Sequence, residues 1–347
     1  MSALTIRFAE PGDRDRIMLF WHEHWIAGHI MSRDTELFSW QYQDGNKLNI
    51  VIAEKGDELL GFLGFIPDSR FDTDTRPEEQ VIALAGWRTK DGAPPALGTA
   101  LLAHLRKNVP HGALVTLGLN ADVARLYERL GFKTGLMDHW VLPNWQMSAY
   151  RLLKLPAGVH LPAATGNKIL RCLSENDFPL YASGRKSGFY ISARYAQHPR
   201  YEYRIYGVEQ DGVPEGLIVL RIAEAENAKA FRLVDMSGPQ TLFAGIAPAL
   251  QELMHSEGVE YADFFCHGVE AEYMNATGFM DVAATGATVP NHFEPFVPDN
   301  RPIPYAILNP KNIPPTLCKG DGDQDRPNLN DPSSPSRMEL ATHEHLN

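Results

Sequence analysis

Residues 81–133, VIALAGWRTKDGAPPALGTALLAHLRKNVPHGALVTLGLNADVARLYERLGFK, contain the pattern that decides the fold. VIALAGW is an apolar run between polar residues, which predicts a buried strand, and ALGTALLAHLRK repeats its apolar positions at helical spacing. ALVTLGLN predicts a second buried strand, and ADVARLYERL predicts a helix that stops at Gly131. The order strand, turn, helix, strand, helix indicates an α/β unit.

Small residues open the first of these helices. Gly98 and Ala100 stand in its first turn, where the backbone N–H groups have no partner inside the helix. Such N–H groups suit an anionic group such as a pyrophosphate, and small side chains let a ligand approach the backbone closely. We therefore expect a phosphorylated small molecule to bind at residues 95–100.

The element order, Asn120 and the segment ARLYERLGF at 124–132 together resemble the GNAT acyl-CoA N-acyltransferases. The resemblance implies that coenzyme A, as acyl-CoA, is the co-substrate and that Tyr127 protonates the departing thiolate. It places the oxyanion donor at a backbone amide near 86–88, and it implies these cofactor-binding residues: Trp87, Arg88, Leu97, Gly98, Thr99 and Ala100. Asn120 could bond the pantetheine arm or the amine, or equally a strand-end backbone group. Pro95 departs from the family pattern, which has Gln or Arg there, and proline supplies no amide.

The second half of the chain weakly repeats the first. NKILRCLSENDFPL parallels LTIRFAEPGD, and EYRIYGVEQDGVPEGLIVL parallels the predicted hairpin NIVIAEKGDELLGFLGFI. TLFAGIAPALQELMHSEG is expected to be a second central helix that begins near Ser237. Aligning the two Gly-Phe pairs places Met274 opposite Tyr127 and His267 opposite Asn120. Methionine cannot protonate a thiolate, so the second half is expected to have lost coenzyme binding.

These features predict a mixed α/β (α+β) chain that resembles a tandem GNAT. Each domain is expected to be a mixed, mostly antiparallel sheet flanked by helices. The expected limits are an acyl-CoA-binding domain at 1–145, a linker at 146–166, a degenerate domain at 167–287, and a proline-rich extension and tail at 288–347. The proline content of the extension favours extended segments.

Composition excludes several classes of partner. The 347 residues carry a formal net charge of -11, which argues against a broad contact with nucleic acid or an anionic membrane. The three cysteines lie far apart, without metal-binding spacing, which suits a reducing cytoplasm. The run Asp321, Asp323, Asp325 fails as a calcium loop because its twelfth residue is Pro332 rather than Glu. We expect no metal, no leader segment and a cytoplasmic protein.

The acceptor site is expected near the first helix and its loop, which in the family cover the acceptor. His22 and His29 can share a helix face if the helix continues that far, and His29 is the preferred candidate for a general base, although water alone could serve. The motifs WIAGHIMSRDTELFSWQY and GDGDQDRPN resemble tandem-GNAT enzymes that acylate nucleotide-linked amino sugars for bacterial surface polysaccharides such as O-antigen. That resemblance implies an acetyl or short hydroxyacyl donor and an amino sugar on a carrier such as dTDP. It also implies these substrate-binding residues: His22, Arg33, Asp325 and Arg326.

Three alternatives stay open. The acceptor could be another amine, such as a polyamine, an aminoglycoside or a protein terminus. The chain could instead be a binding or scaffold protein on a decayed GNAT fold, given Pro95 and the altered second half. An aminoacyl-tRNA-dependent transferase is disfavoured by the acidic charge. The sequence leaves the oligomeric state open.

Overall fold

The computed structural model describes residues 3–161, 165–311 and 316–327. The described chain divides into two compact units. The first unit contains residues 3–116, 308–311 and 326–327, and the second contains residues 117–307 and 316–325. The domain limits expected from the sequence stay a prediction, and residues 312–315 and 328–347 of the predicted extension and tail lie outside the described residues.

The first unit is a sheet flanked by helices. Its helices and strands, in chain order, are β1 (Leu4–Phe8), α1 (Arg14–His24), α2 (Thr35–Tyr42), β2 (Gln43–Asp44), β3 (Lys47–Leu48), β4 (Ile50–Lys55), β5 (Glu58–Pro67), β6 (Val81–Thr89), α3 (Leu97–Asn108) and β7 (Ala113–Leu117). In the sheet, β1, β4, β5 and β6 follow one another in antiparallel pairs, and β7 joins β6 in parallel. The predicted hairpin is confirmed as β4 and β5, which turn at Gly56 with φ of 63°.

The second unit contains the remaining elements. They are α4 (Ala121–Arg129), β8 (Lys133–Leu136), β9 (Asp138–Pro143), β10 (Ile169–Cys172), α5 (Phe178–Tyr181), α6 (Gly188–Ile191), β11 (Arg204–Gln210), β12 (Val213–Ala225), β13 (Ala228–Ser237), α7 (Ala247–Glu257), β14 (Tyr261–His267), α8 (Ala271–Ala276), β15 (Met280–Asp281), α9 (Val282–Thr285), β16 (His292–Phe293), β17 (Phe296–Val297), β18 (Pro304–Leu308) and β19 (Leu317–Cys318). Its large sheet has the order β10-β11-β12-β13-β14-β9-β15, and β19 pairs with the edge of β14.

Two consecutive strands of the second unit pair with distant parts of the chain. Only Met137 separates β8 from β9, yet β9 lies between β14 and β15. β8 pairs instead with β18, which comes from the proline-rich extension. The predicted extended character of that extension is confirmed by β16, β17 and β18. The pairing itself was not predicted, because local patterns do not specify partners 170 residues away.

The second central helix starts later than predicted. β13 continues to Ser237, a short 3₁₀ turn covers Gln240–Phe243, and α7 begins only at Ala247. The delay has a local cause, since Gly245 has φ of 93° and Pro248 occupies the first turn of α7, where its missing N–H costs nothing. α7 then packs Leu250 and Met254 into the core under the second sheet. Within the described residues, no helix combines the length and the apolar character that crossing a membrane requires.

Candidate functional site

The sheet of the first unit opens between β6 and β7. Their parallel ladder covers only Val81 to Ala83 on β6, matched with Ala113 to Val115 on β7. β6 nevertheless continues along β5 as far as Thr89. At the end of the ladder, the hydroxyl of Thr116 donates to the carbonyl of Leu84 at 3.4 Å, so a side chain replaces the next ladder bond. Beyond this point the second edge of β6 has no ladder to β7 in the described chain.

A bulge in β6 marks the opening. The register against β5 shifts so that Leu63 faces Trp87 whereas Phe65 faces Leu84, which leaves two residues of β6, Ala85 and Gly86, opposite the single residue Gly64 of β5. The carbonyl of Ala85 accepts from the hydroxyl of Tyr42 at 2.7 Å. Gly86 has φ of 84°, in the left-handed region that suits glycine. Bulges of this kind redirect a strand and its backbone groups, as the expected oxyanion donor at 86–88 requires.

An aromatic cluster covers the bulge. A Cβ placed on Gly86 would lie 2.6 Å from Cη2 of Trp21 and 3.3 Å from Cε2 of Phe62. The indole of Trp21 stacks on Trp25 at 5.1 Å and on the ring of His29 at 5.4 Å. α1 and its following loop therefore form a wall of stacked rings beside the opening of the sheet.

The start of α3 presents backbone N–H groups. Ala96 adopts the left-handed conformation at φ of 64°, which turns the chain sharply into the helix. The amide of Leu97 donates to the carbonyl of Pro94 at 3.2 Å, and that of Ala100 donates to the carbonyl of Ala96 at 3.0 Å. Between them, the amides of Gly98 and Thr99 have no backbone acceptor among the described residues. These two groups fit the expected contact with an anion.

The other predicted cofactor residues surround this turn. The indole Nε1 of Trp87 lies 3.1 Å from the position that a Cβ on Gly98 would occupy, so Trp87 packs directly on the helix start. Arg88 donates through Nε to the carbonyl of His24 at 2.7 Å and through Nη2 to Asp91 at 3.2 Å. Thr99 donates its hydroxyl to Ala96, and Leu97 is buried in the core. Trp87 and Arg88 are thus placed where β6 leaves the bulge.

The residues predicted at the acceptor site adopt local roles in the first unit. His22 accepts from the amide of Gly28 at 3.1 Å through Nδ1. His29 accepts from the amide of Met31 at 3.2 Å through Nδ1, and its ring is buried in the aromatic cluster. Arg33 donates to the carbonyl of Gly28 at 3.2 Å. α1 ends at His24, so His22 and His29 do not share a helix face, and these hydrogen bonds shape the loop after α1.

Tyr127 and Asn120 belong to the second unit. Tyr127 is 5% exposed and meets Phe132 edge to face at 5.0 Å between ring centroids. Asn120 is exposed, and its carbonyl accepts from the amide of Val123 at 3.1 Å as α4 begins. Their predicted catalytic roles stay predictions.

The second unit has an opening of the same kind, but the chain itself fills it. β13 and β14 pair only from Ala230 to Leu233 on β13, although β13 continues to Ser237. β19 pairs with the end of β14, and the following turn places Gly320 so that a Cβ there would lie 3.0 Å from the carbonyl of Val234 on β13. This segment, residues 317–321, which we call the insert, lies beside the part of β13 that does not pair with β14 within the described residues. The expectation that the second half has lost coenzyme binding stays a prediction.

Buried charges fix the insert. Lys186 donates to Asp235 and, at 2.9 Å, to Asp321, and Arg185 pairs with Asp321 at 2.5 Å. Burial alone would raise the pKa of Asp321, but the charges of Arg185 and Lys186 lower it to about 2. The side chains of Asp235, Cys318 and Asp321 could together hold a metal ion. The ammonium group of Lys186 already supplies the positive charge between the two carboxylates.

Asp325 is also engaged inside the second unit. Arg221 donates to both of its carboxylate oxygens at 2.9 Å, and Tyr203 donates its hydroxyl at 2.8 Å. Burial opposes the charge of Asp325, yet Arg221 and Lys319 hold the pKa of its carboxyl well below the usual range. These contacts give Asp325 a structural function that the sequence did not indicate. Arg326, which follows it, is half-buried in the first unit.

Comparisons with known proteins address the fold. No family model and no curated protein matches the sequence. A GCN5-related N-acetyltransferase from Anabaena variabilis ATCC 29413 aligns with a TM-score of 0.54 at 10% identity, over 88% of this chain and 73% of that chain. A conserved protein of unknown function from Enterococcus faecalis V583 aligns at 0.49 and 12% identity, over 88% and 72%. N-myristoyltransferase from Saccharomyces cerevisiae, solved with myristoyl-CoA, aligns at 0.45 and 13% identity, over 90% and 80%.

Of these three structures, only the Anabaena protein exceeds a TM-score of 0.5, and we base the fold assignment on it. The prediction of a mixed α/β chain with GNAT-like architecture is therefore confirmed. The chain has the fold of the GCN5-related N-acetyltransferases.

Proposed function

We propose that this protein is an N-acyltransferase that uses acyl-CoA and binds it in the first unit, between the start of α3 and the opening of β6 from β7. The observation that carries the proposal is the early end of the β6–β7 ladder at Ala83 and Val115, followed along the chain by a helix start with open amides. The GNAT fold supports the same reading. Fold alone does not define chemistry, so the local geometry bears the argument.

The amides of Gly98 and Thr99 would bind the pyrophosphate of the coenzyme. They lie at the positive end of the helix dipole, and the structure leaves them without backbone acceptors in the described chain. Pro95 contributes no amide, but the left-handed Ala96 turns the chain so that the next residues present theirs. The turn thus works without the Gln or Arg that the family pattern has at its first position.

A backbone N–H group at the bulge of β6 would donate a hydrogen bond to the oxyanion of the transition state. When a neutral amine attacks the thioester carbonyl, negative charge develops on the oxygen, and a fixed backbone N–H stabilises it most effectively in a site without water. The bulge interrupts the pairing of β6 with β5 at Gly86, and the buried indole of Trp21 packs against this glycine. Tyr127 is the proposed acid for the leaving thiolate, and Asn120 is the proposed contact for the pantetheine arm or amine, on the resemblance of their segment.

The finer proposal concerns the acceptor. The two motifs that resemble the amino-sugar N-acyltransferases suggest the amine of a nucleotide-linked amino sugar, with an acetyl or short hydroxyacyl donor. His22, His29 and Arg33 stay the candidates on the acceptor side, since they shape the loop beside the ring wall. We leave Asp325 out of the proposed site because Arg221 and Tyr203 occupy its carboxylate.

One substitution tests the coenzyme site directly. Thr99→Glu places a carboxylate in the first turn of α3, where it favours the helix but repels a diphosphate. Thr99→Gln is the matched control, since both variants lose the bond to Ala96 and differ mainly in charge. We expect calorimetric titration with coenzyme A to show binding that Thr99→Glu weakens about tenfold or more relative to Thr99→Gln. Equal affinity in the two variants would place the coenzyme elsewhere.

A substrate panel tests the reaction. Acetyl-CoA and hydroxybutyryl-CoA are crossed with amino-sugar nucleotides and a polyamine, and thiol release is followed. The proposed acceptor predicts release with an amino-sugar nucleotide above release with the polyamine. Faster thiol release with the polyamine would support the transferase activity but contradict the amino-sugar acceptor. Binding of coenzyme without any thiol release would favour the scaffold alternative.

A further inference from the structure

A cavity of about 340 Å³ lies in the second unit along one edge of β12. The ladder between β11 and β12 ends at Arg204 and Leu220, but β12 continues to Ala225 against β13. Residues 221–224 therefore have a ladder on one side only, within the described chain, and they line the cavity. An open strand edge offers alternating backbone N–H and carbonyl groups to a ligand.

Arg221 forms the buried end of the cavity. Its side chain is 10% exposed, its guanidinium lies 4.1 Å from the ring centroid of Tyr201, and Nε and Nη2 are bound to Asp325. Its Nη1 has no hydrogen-bond partner among the described residues, although the residue lines the cavity. A fixed guanidinium with an open N–H group binds a carboxylate oxygen well.

Most of the other charged residues of the lining are acidic. Three glutamates contribute to the cavity: Glu202, Glu224 and Glu294. Glu202 and Glu224 are exposed, Glu224 pairs loosely with Lys229 at 3.7 Å, and Glu294 accepts from the hydroxyl of Tyr201 at 3.1 Å. Arg204, the other cation of the lining, pairs with Glu257 at 2.6 Å. A ligand that is only anionic would meet these carboxylates, and one that is only cationic would meet Arg221.

Apolar groups supply the rest of the lining, with Phe293, Ile222 and Ala223 between the charged groups. The volume lies at the lower end of the range of small-molecule sites. We infer that the cavity binds an α-amino acid with an apolar side chain, its carboxylate at Arg221 and its ammonium group at the glutamates. This assignment rests on the second unit alone and is independent of the proposed transferase activity.

Ligand analogues test the assignment on the unchanged full-length protein. Leucine and phenylalanine are titrated by calorimetry beside 4-methylpentanoate and 3-methylbutan-1-amine, which are leucine without its amine and without its carboxylate. We expect one of the amino acids to bind and each analogue to bind about tenfold more weakly or worse, because each loses one charged contact. Absence of binding by both amino acids, or an analogue that binds as tightly as leucine, would overturn the inference.

A variant tests the acidic side of the cavity. Glu224→Gln is expected to weaken amino-acid binding roughly fivefold, as for a solvent-exposed ion pair, and to leave 4-methylpentanoate unaffected. Glu252→Gln, an exposed position on α7 away from the cavity lining, is the matched control. Arg221 also neutralises the buried Asp325, so its replacement would endanger folding. The contact between Arg221 and the ligand carboxylate is therefore tested with the ligand analogues. Equal amino-acid affinity in the two glutamine variants would contradict the assigned orientation.

Discussion

Replacement of Gly86 by alanine should destabilise the first unit much more than the same change at Gly92. Both glycines have similar left-handed conformations, with φ of 84° at Gly86 and 79° at Gly92. They differ in their surroundings, because a Cβ on Gly92 meets nothing within 4 Å, whereas one on Gly86 lies 2.6 Å from Cη2 of Trp21. The pair of variants therefore separates the backbone cost from the steric cost.

The magnitudes follow from these two costs. An L-residue in the left-handed region costs about 1–2 kcal/mol, of which roughly 0.4–1 kcal/mol is regained because alanine restricts the unfolded chain. Gly92→Ala should thus lose about 1 kcal/mol or less. Gly86→Ala adds overpacking against Trp21, which is 1% exposed and stacked on Trp25 and so cannot move away easily. That steric cost is about 1–3 kcal/mol, so the free energy of unfolding should fall by about 1–4 kcal/mol in total.

Urea denaturation monitored by tryptophan fluorescence and by circular dichroism measures both variants against the parent chain. If Gly86→Ala is no less stable than Gly92→Ala, the ring wall does not press on the bulge and the described site is wrong. Near-UV circular dichroism provides a second readout, since displacement of Trp21 would alter the stacked pair even where the stability change is small.

Three further predictions concern a buried lysine, a strained alanine and the proposed acid. Burial, with Arg232 nearby, lowers the pKa of Lys319 from 10.5 to about 7. Between pH 7 and 10 the unfolded chain therefore holds one more proton than the folded chain. The free energy of unfolding should rise with pH over this range by about 1.4 kcal/mol per pH unit. Lys319→Met should flatten this slope in urea titrations while the exposed control Lys133→Met keeps it, and identical slopes would refute the assignment. Ala96→Gly should raise the free energy of unfolding by about 0.5–1 kcal/mol, because relief of the left-handed strain exceeds the entropy that glycine adds to the unfolded chain. A lower free energy of unfolding in urea denaturation would show that Ala96 is not strained. Tyr127→Phe should lower turnover roughly 100-fold with coenzyme affinity unchanged, and unchanged turnover with chemistry rate-limiting would exclude Tyr127 as the acid.

The elements that frame the candidate site could be predicted because their signals are local. Continuous apolar runs and helical spacing over 81–133 predicted β6, α3, β7 and α4 near their observed positions. The hairpin of β4 and β5 followed from two apolar runs around Gly56. The oxyanion donor near 86–88 was expected only through the family resemblance, and no local pattern marks where β6 and β7 separate.

The functions of the acidic motif could not be predicted in the same way. Asp321 and Asp325 sit in a polar run typical of an exposed turn, yet both are buried by cations more than 100 residues away in sequence. A buried ion pair is decided by which cation the fold brings near, and Arg221 lies on a strand whose pattern gives no sign of a partner. The filling of the second opening by the insert escaped prediction for the same reason.

The pairing of β9 with β14 and β15 limits which fragments of the protein can fold alone. A fragment that ends at residue 145 would produce β9 without β14 and β15, and a fragment that starts at residue 167 would produce β14 without β9. Either product would expose an unpaired strand of apolar residues and would be prone to aggregate. If the two halves arose by duplication of an ancestral gene, the pairing of β9 with β14 and β15 now requires that both halves be expressed together.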